Sequence, residues 1–203
     1  MRRLAALLLA LAAPASAQTS APPAALPAEV PVVITTEAGD ITVALDRAHA
    51  PLTTANFLRY VDARRFDGVT FYRAMKLGPD LGLIQGGVRD PKRLYPPVAH
   101  EPTTQTGLRH VDGVISMPRN TPGSAKGDFF ITVGAFPSLD ADPTKPGDNL
   151  GFAAFGHVVA GMDVVHHILD QPTSPTEGEG VMKGQMLAPQ VRILTVRRVP
   201  AVR

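Results

Sequence analysis

The chain has 203 residues, 44% of them hydrophobic, with 20 Lys and Arg against 18 Asp and Glu. That length and apolar content suit one domain with an ample core, and the lack of any cysteine excludes disulfides, thiolate catalysis and thiolate metal sites. Twenty prolines and 18 glycines imply many turns, which favours β architecture over a helical bundle.

Arg2 and Arg3 precede an apolar run from Leu4 to Ala13, and Ala15-Ser16-Ala17 is a small-residue cleavage signal. The run is too short to span a membrane, and no cysteine follows to carry a lipid. The pattern predicts a signal peptide over 1–17, cleaved near Ala17, and export to a bacterial periplasm without stable membrane insertion. Cleavage removes two of the 20 basic residues and no acid, leaving 18 against 18. The precursor's pI of about 9.2 is therefore no sign of a nucleic-acid partner. Residues 18–30 are Pro/Ala-rich and read as a disordered tether, with the folded domain over 31–200.

Val32–Thr36 and Ile41–Leu45 are β-prone runs around Ala38-Gly39-Asp40, a hairpin signal. Pro51–Arg64 reads as a helix, with proline in its first turn and Ala55, Phe57, Leu58 and Val61 as its apolar face. Asn56 sits inside it as a capping or packing residue. Asp67-Gly68 turns the chain into a strand over Val69–Arg73. Lys76–Gly82, with two glycines and a proline, reads as a loop; Leu83-Ile84-Gln85 resumes the strand, and Gly86-Gly87 ends or bulges it. After a proline-rich loop over Asp90–His100, strands are predicted at Val114–Met117, Phe129–Val133 and Gly151–Val159. Gly161–Asp170 reads as a second helix with Met162, Val165, Ile168 and Leu169 inward, and Val191–Val199 closes the chain as a strand. About eight short strands, two helices and no repeat suit a closed barrel with functional loops.

The stretch from Phe71-Tyr72-Arg73 to Leu83-Ile84-Gln85-Gly86-Gly87 sets one arginine and one glutamine among apolar residues. Such an arginine either snorkels to solvent at the strand end or points into a cleft. The chain has no G-x-S-x-G, P-loop or G-x-G-x-x-G motif. His166-His167 are helix neighbours about 100° apart, a poor pair for one ion. Glu177 and Glu179 in their Gly/Pro-rich loop read as solvated charge. What remains is a cleft of Arg73, Gln85, Met117, Phe130 and other apolar residues, with no nucleophile, metal or cofactor. Rotation about a prolyl peptide bond suits such a site. It breaks no covalent bond, has an uncatalysed barrier of about 18–20 kcal/mol, and is accelerated by a fixed cation that binds the twisted state more tightly than either planar one.

Phe71-Tyr72-Arg73, Leu83 to Gly87, Ile115-Ser116-Met117, Phe129-Phe130-Ile131 and Phe155 to Val165 stand in the order and spacing of the cyclophilins, over about Val32 to Val199. The chain thus resembles an exported bacterial cyclophilin-type peptidyl-prolyl cis-trans isomerase. The resemblance implies a closed eight-stranded antiparallel β-barrel capped by two helices, with its site on the outer face. It implies Arg73 as the catalytic arginine, Gln85 as the neighbouring donor, and Phe130, Met117, Leu83 and Phe152 as the lining of a proline pocket. Proline-containing segments of exported proteins would be the partners, and the protein would act as a monomer.

Several positions depart from that pattern. The stretch between Arg73 and Gln85 is long, and Gly82 replaces a phenylalanine, which leaves part of the pocket wall either unfilled or filled by something in Lys76–Asp80. Pro118-Arg119-Asn120 replaces the small segment that receives the substrate backbone, making Arg119 and Asn120 candidate contacts. Asp128 stands where many relatives have glutamine. Either it reaches Arg73 and competes with the prolyl nitrogen, so that Asp128→Gln raises turnover, or it faces solvent. These departures support an alternative reading, a low-activity chaperone or binding module for proline-containing segments.

Overall fold

Alternation of apolar and polar side chains builds the sheet. In β1 (Glu29–Thr36), Val30, Val32, Ile34 and Thr36 are buried and their neighbours are not, the period-two pattern of a strand with one face on a core. The computed structural model describes residues 28–200. The predicted signal peptide, its cleavage site and the tether up to residue 27 lie outside the described residues, and Glu29 and Val30 already belong to β1.

The remaining strands are β2 (Gly39–Asp46), β3 (Thr70–Gly78), β4 (Leu81–Gly87), β5 (Val114–Met117), β6 (Asp128–Val133), β7 (Ala153–Ala160), β8 (Thr173–Ser174) and β9 (Met186–Arg198). They pair antiparallel in the order β1-β2-β7-β5-β6-β4-β3-β9, and β9 pairs back onto β1. The result is the expected closed eight-stranded barrel, with β8 a two-residue addition to β9. Closure removes the unpaired edges an open sheet would present. Val32, Ile34, Val43, Phe71, Ile84, Ile115, Phe129, Ile131, Phe155 and Ile193 fill the interior.

Helices α1 (Pro51–Asp62) and α3 (Met162–Leu169) seal the two ends. Phe57 of α1 packs its ring 4.8 Å from Phe66 and 5.4 Å from both Phe129 and Phe155, and Tyr60 lies against Gly127 at the start of β6. Leu169 of α3 lies over Gly82, which pairs with Val133 at the end of β6. A third helix, α2 (Thr103–Thr106), is a single turn that the sequence reading did not contain. Ala55, expected on the apolar face of α1, is exposed; Thr53, Thr54 and Asn56 are buried in addition to Phe57, Leu58, Tyr60 and Val61. The N-terminal residue Ala50 offers no side-chain cap. Buried Glu101 supplies one from far along the chain, accepting the Leu52 amide at 3.1 Å and the Thr53 amide at 2.7 Å. That satisfies helix N–H groups with a carboxylate at the positive end of the dipole.

The largest correction concerns Lys76–Gly82. It is not a loop: β3 runs to Gly78 and β4 starts at Leu81, so only Pro79 and Asp80 separate a long hairpin. Gly82 is a ladder residue paired with Lys76 and Val133. A Cβ there would meet the Met75 carbonyl at 2.5 Å and Leu169 at 2.9 Å, so glycine marks a close approach inside a strand rather than a turn. Likewise β9 begins at Met186, not at Val191.

Candidate active site

Four strands place four side chains in one row. Phe130 of β6 faces Gln85 of β4, Gln85 faces Arg73 of β3, and Arg73 faces Met186 of β9. A bulge makes the row possible. Phe71 pairs with Gly86 but Arg73 pairs with Gln85, so Tyr72 is the extra residue of β3. A bulged strand can send successive side chains to one face: Phe71 and Ala74 belong to the barrel core, whereas Tyr72, although also buried, and Arg73 both line a cleft of about 980 Å³ on the outside of the barrel.

Arg73 is half-buried and has no carboxylate partner among the described residues. Its Nε donates to Gln185 Oε1 at 2.9 Å, one Nη1 N–H goes to Gln85 Oε1 at 2.8 Å, and Nη2 meets only the Met75 thioether at 3.6 Å. Burial lowers its pKa from the ordinary value, yet a guanidinium stays charged at neutral pH. The site therefore holds a fixed cation with donor capacity left over, beside Leu83, Phe130 and Phe152. Phe130 and Phe152 meet edge to face at 5.8 Å, an arrangement the ring quadrupoles favour.

A hydrogen-bond chain continues from the arginine. Gln85 Nε2 donates to the Tyr72 hydroxyl at 2.7 Å, and Tyr72 donates to Asp128 Oδ2 at 2.8 Å. Asp128 thus does not reach Arg73, which overturns the expectation of a competing pair; it is half-buried at the edge of the cleft and bonded to a side chain, Tyr72. Its other oxygen, Oδ1, is buried with no hydrogen-bond partner among the described residues, tucked against the space a Gly87 Cβ would take. Burial pushes the Asp128 carboxyl up to about 6, against the opposing pull of the Tyr72 hydroxyl, the Arg89 guanidinium and the Gln85 side chain. Burial, then the neighbouring carboxylate, also raises Tyr72.

Of the nine residues predicted for the site, eight line this cleft: Arg73, Gln85, Leu83, Arg119, Asn120, Asp128, Phe130 and Phe152. Met117 does not. It points into the barrel core, where the Asn56 amide meets its sulfur at 3.4 Å. Strand alternation is the reason, because Ser116 next to it takes the opposite face. Asn56 itself is a packing residue whose amide also donates to the Lys126 carbonyl at 2.8 Å. Arg119 forms a wall, not a free donor: its Nε binds the Gly151 carbonyl at 2.6 Å, its terminal nitrogens bind Asp148 at 2.7 and 2.8 Å, and its guanidinium lies 5.6 Å from the Phe152 ring centre. Gly82 leaves no gap in the pocket wall, since the space beside it faces Leu169 and is filled.

Three features were missed in the sequence. Tyr72 stood inside the quoted motif, but nothing local reveals a bulge. Gln185 comes from the segment after β8, whose Glu177, Val181 and Met182 also line the cleft. Beneath Phe130, the buried His110 ring stacks at 6.0 Å and 15°. Its Nδ1 lies 2.7 Å from Asp140 and its Nε2 lies 2.9 Å from the Ser116 hydroxyl. Burial lowers the His110 pKa although Asp140 opposes it. Ser116 is wholly enclosed, so the arrangement is a polar floor under Phe130 and not a nucleophile.

Comparison with known proteins bears on the family and the fold. The family model described as "Cyclophilin type peptidyl-prolyl cis-trans isomerase/CLD" matches residues 31–198. Peptidyl-prolyl cis-trans isomerase A of Dickeya dadantii is 37% identical over 142 residues, 68% of this chain and 70% of that protein. A peptidyl-prolyl cis-trans isomerase of Streptomyces antibioticus is 36% identical over 152 residues, 72% of this chain and 87% of that protein. In fold, a Cryptosporidium parvum cyclophilin type peptidyl-prolyl cis-trans isomerase is similar with a TM-score of 0.67 at 20% identity, covering 86% of this chain and 99% of that one. Its crystal structure in the presence of the dipeptide Ala-Pro gives a TM-score of 0.65, again at 20% identity, over 84% of this chain and 99% of that one.

Proposed function

The chain belongs to the cyclophilin-type peptidyl-prolyl cis-trans isomerases, and from that premise we propose that Arg73 drives rotation of Xaa-Pro bonds by donating to the prolyl nitrogen. The observation that carries this reading is the state of Arg73. Among the described residues it is uncompensated by any carboxylate, is held by Gln85 and Gln185, and keeps Nη2 free of any acceptor stronger than a thioether.

In a planar peptide the nitrogen lone pair is delocalised and cannot accept a hydrogen bond. As the bond twists, resonance is lost and the nitrogen becomes an acceptor. A donor fixed beside it binds the twisted state more tightly than either planar state, and that difference lowers the barrier. Phe130, Leu83 and Phe152 hold the proline ring, and the cleft of about 980 Å³ continues past them to Arg119 and Asn120. Proline-containing segments are the substrates, in keeping with the Ala-Pro dipeptide present with the Cryptosporidium parvum relative.

The basic and apolar N-terminal pattern with its Ala15-Ser16-Ala17 signal supports clients among periplasmic proteins. Isolation of the mature protein should then give Gln18 as its first residue.

Exchange NMR on Ala-Pro peptides tests the mechanism. Arg73→Ala should lower the isomerisation rate by about 10²–10³, the worth of one preorganised charge-assisted donor, with binding retained. Near-zero exchange in both the wild type and the variant, with binding intact, would instead identify a binding module.

A further inference from the structure

The chain Arg73–Gln85–Tyr72–Asp128 has only one consistent direction. A guanidinium can only donate and a carboxylate can only accept. Between them, Tyr72 must give its proton to Asp128, so its oxygen is left to accept from Gln85. Gln85 must then present its NH2 to Tyr72 and its carbonyl to Arg73, which are the contacts found at 2.7 and 2.8 Å. One amide N–H of Gln85 remains for a carbonyl in the cleft.

We propose that Tyr72 and Asp128 are positioning residues for Arg73, acting through Gln85, with the ionised carboxylate as the terminal acceptor that keeps the glutamine amide from turning over. This rests on the reading of Arg73 as the donor to the prolyl nitrogen. Neither residue touches the reacting bond.

The cost of the device is visible in the structure. Among the described residues, Asp128 Oδ1 is buried without a hydrogen-bond partner, and Oδ2 is held by the Tyr72 hydroxyl, with the Gln85 side chain also stabilising the carboxylate. The charged and titratable groups around it are Tyr72 and Arg73 of β3, Arg89 beyond β4, and Lys126 ahead of β6. Arg89 sits 4.7 Å over the Tyr72 ring, and Lys126 lines the same cleft. Glu177 and Glu179 lie on the far rim. No other carboxylate contacts the Tyr72 hydroxyl. Protonating Asp128 removes the obligate acceptor, frees the Tyr72 hydroxyl to rotate and lets the Gln85 amide flip, which would loosen Arg73.

The test is kcat and KM for an Ala-Pro peptide with wild type, Tyr72→Phe, Asp128→Asn and Arg73→Ala across pH 5–8, either side of the Asp128 value of about 6. Wild-type kcat should fall on acidification through that value. In both relay variants the step should vanish, with kcat at pH 8 lower by roughly tenfold, the worth of one hydrogen bond, and KM nearly unchanged. The Gln85 side-chain amide resonances of the wild type should shift over the same pH range, a readout that survives if a variant folds poorly. A flat wild-type profile, or a step that persists in Tyr72→Phe, overturns the relay. If Arg73→Ala keeps full activity, the donor reading itself fails; if Arg73→Ala is inactive while Tyr72→Phe is normal, only the relay fails.

Discussion

Gln185 accepts the Nε–H of Arg73 at 2.9 Å while its own amide donates to the Val181 carbonyl at 2.9 Å. One side chain thus ties the catalytic candidate to the segment that forms the far wall of the cleft. Removing it with Gln185→Ala should free Arg73 and lower kcat by about three- to tenfold, a loss of the order of one neutral-acceptor hydrogen bond. Gln185→Glu should lower it further at neutral pH, because a carboxylate here pairs with the guanidinium and competes for the donor. Peptide exchange measurements on the two variants decide it; equal activities would remove the competition argument.

Asp128 should make the protein less stable as pH rises. Its carboxyl is raised from 3.8 to about 6 in the folded state. The neutral form is therefore favoured by folding, and that stabilisation is present below about pH 4 and lost as pH climbs through 6. Asp128→Asn removes the buried charge, and its amide can turn either its oxygen or its NH2 toward Tyr72, so it is no longer an obligate acceptor. It should be more stable than wild type at pH 8, by on the order of 2–3 kcal/mol, with the difference shrinking toward pH 4. Urea denaturation at the two pH values measures this. With the kinetic loss expected above, the same substitution would trade activity for stability.

Gly82→Phe should not repair the proline pocket. The added side chain would enter the space between the Met75 carbonyl and Leu169 and force α3 away from the barrel end. A stability loss of about 1–3 kcal/mol or more is expected from such overpacking. A gain in kcat with an unchanged melting temperature would show that position 82 faces the cleft after all.

Glu101→Ala should cost on the order of 3 kcal/mol. It strips a buried carboxylate from the Leu52 and Thr53 amides and from the Thr53 hydroxyl, which donates at 2.6 Å. Glu101→Gln, which retains acceptor capacity, should cost less. Guanidinium unfolding of both variants checks the order, and an equal loss would point to packing and not to the helix amides.

The barrel was legible because its strands carry apolar residues at alternate positions, as in Val30, Val32 and Ile34, and local pattern reports which face a side chain takes. Motif order was also enough to bring Arg73, Gln85, Leu83, Phe130 and Phe152 forward as one set. Alternation fails where an extra residue enters a strand. The bulge at Tyr72 depends on how β3 registers against both β4 and β9, and its partner Met186 in β9 lies far along the chain from Arg73, so no local signal in Phe71-Tyr72-Arg73 encodes it.

By itself, then, the sequence determined where most strands lie along the chain and, through the order and spacing of its motifs, the resemblance that implied the closed barrel and the residue types that meet in the cleft. Only the tertiary structure decided who touches whom. Asp128 took Tyr72 and not Arg73, Met117 turned to the core, Gly82 met Leu169, and Glu101 capped a helix 48 residues before it. Each of those outcomes is a contact between distant segments, set by register and packing once the barrel has closed, and hydrogen-bond partners are chosen by that geometry.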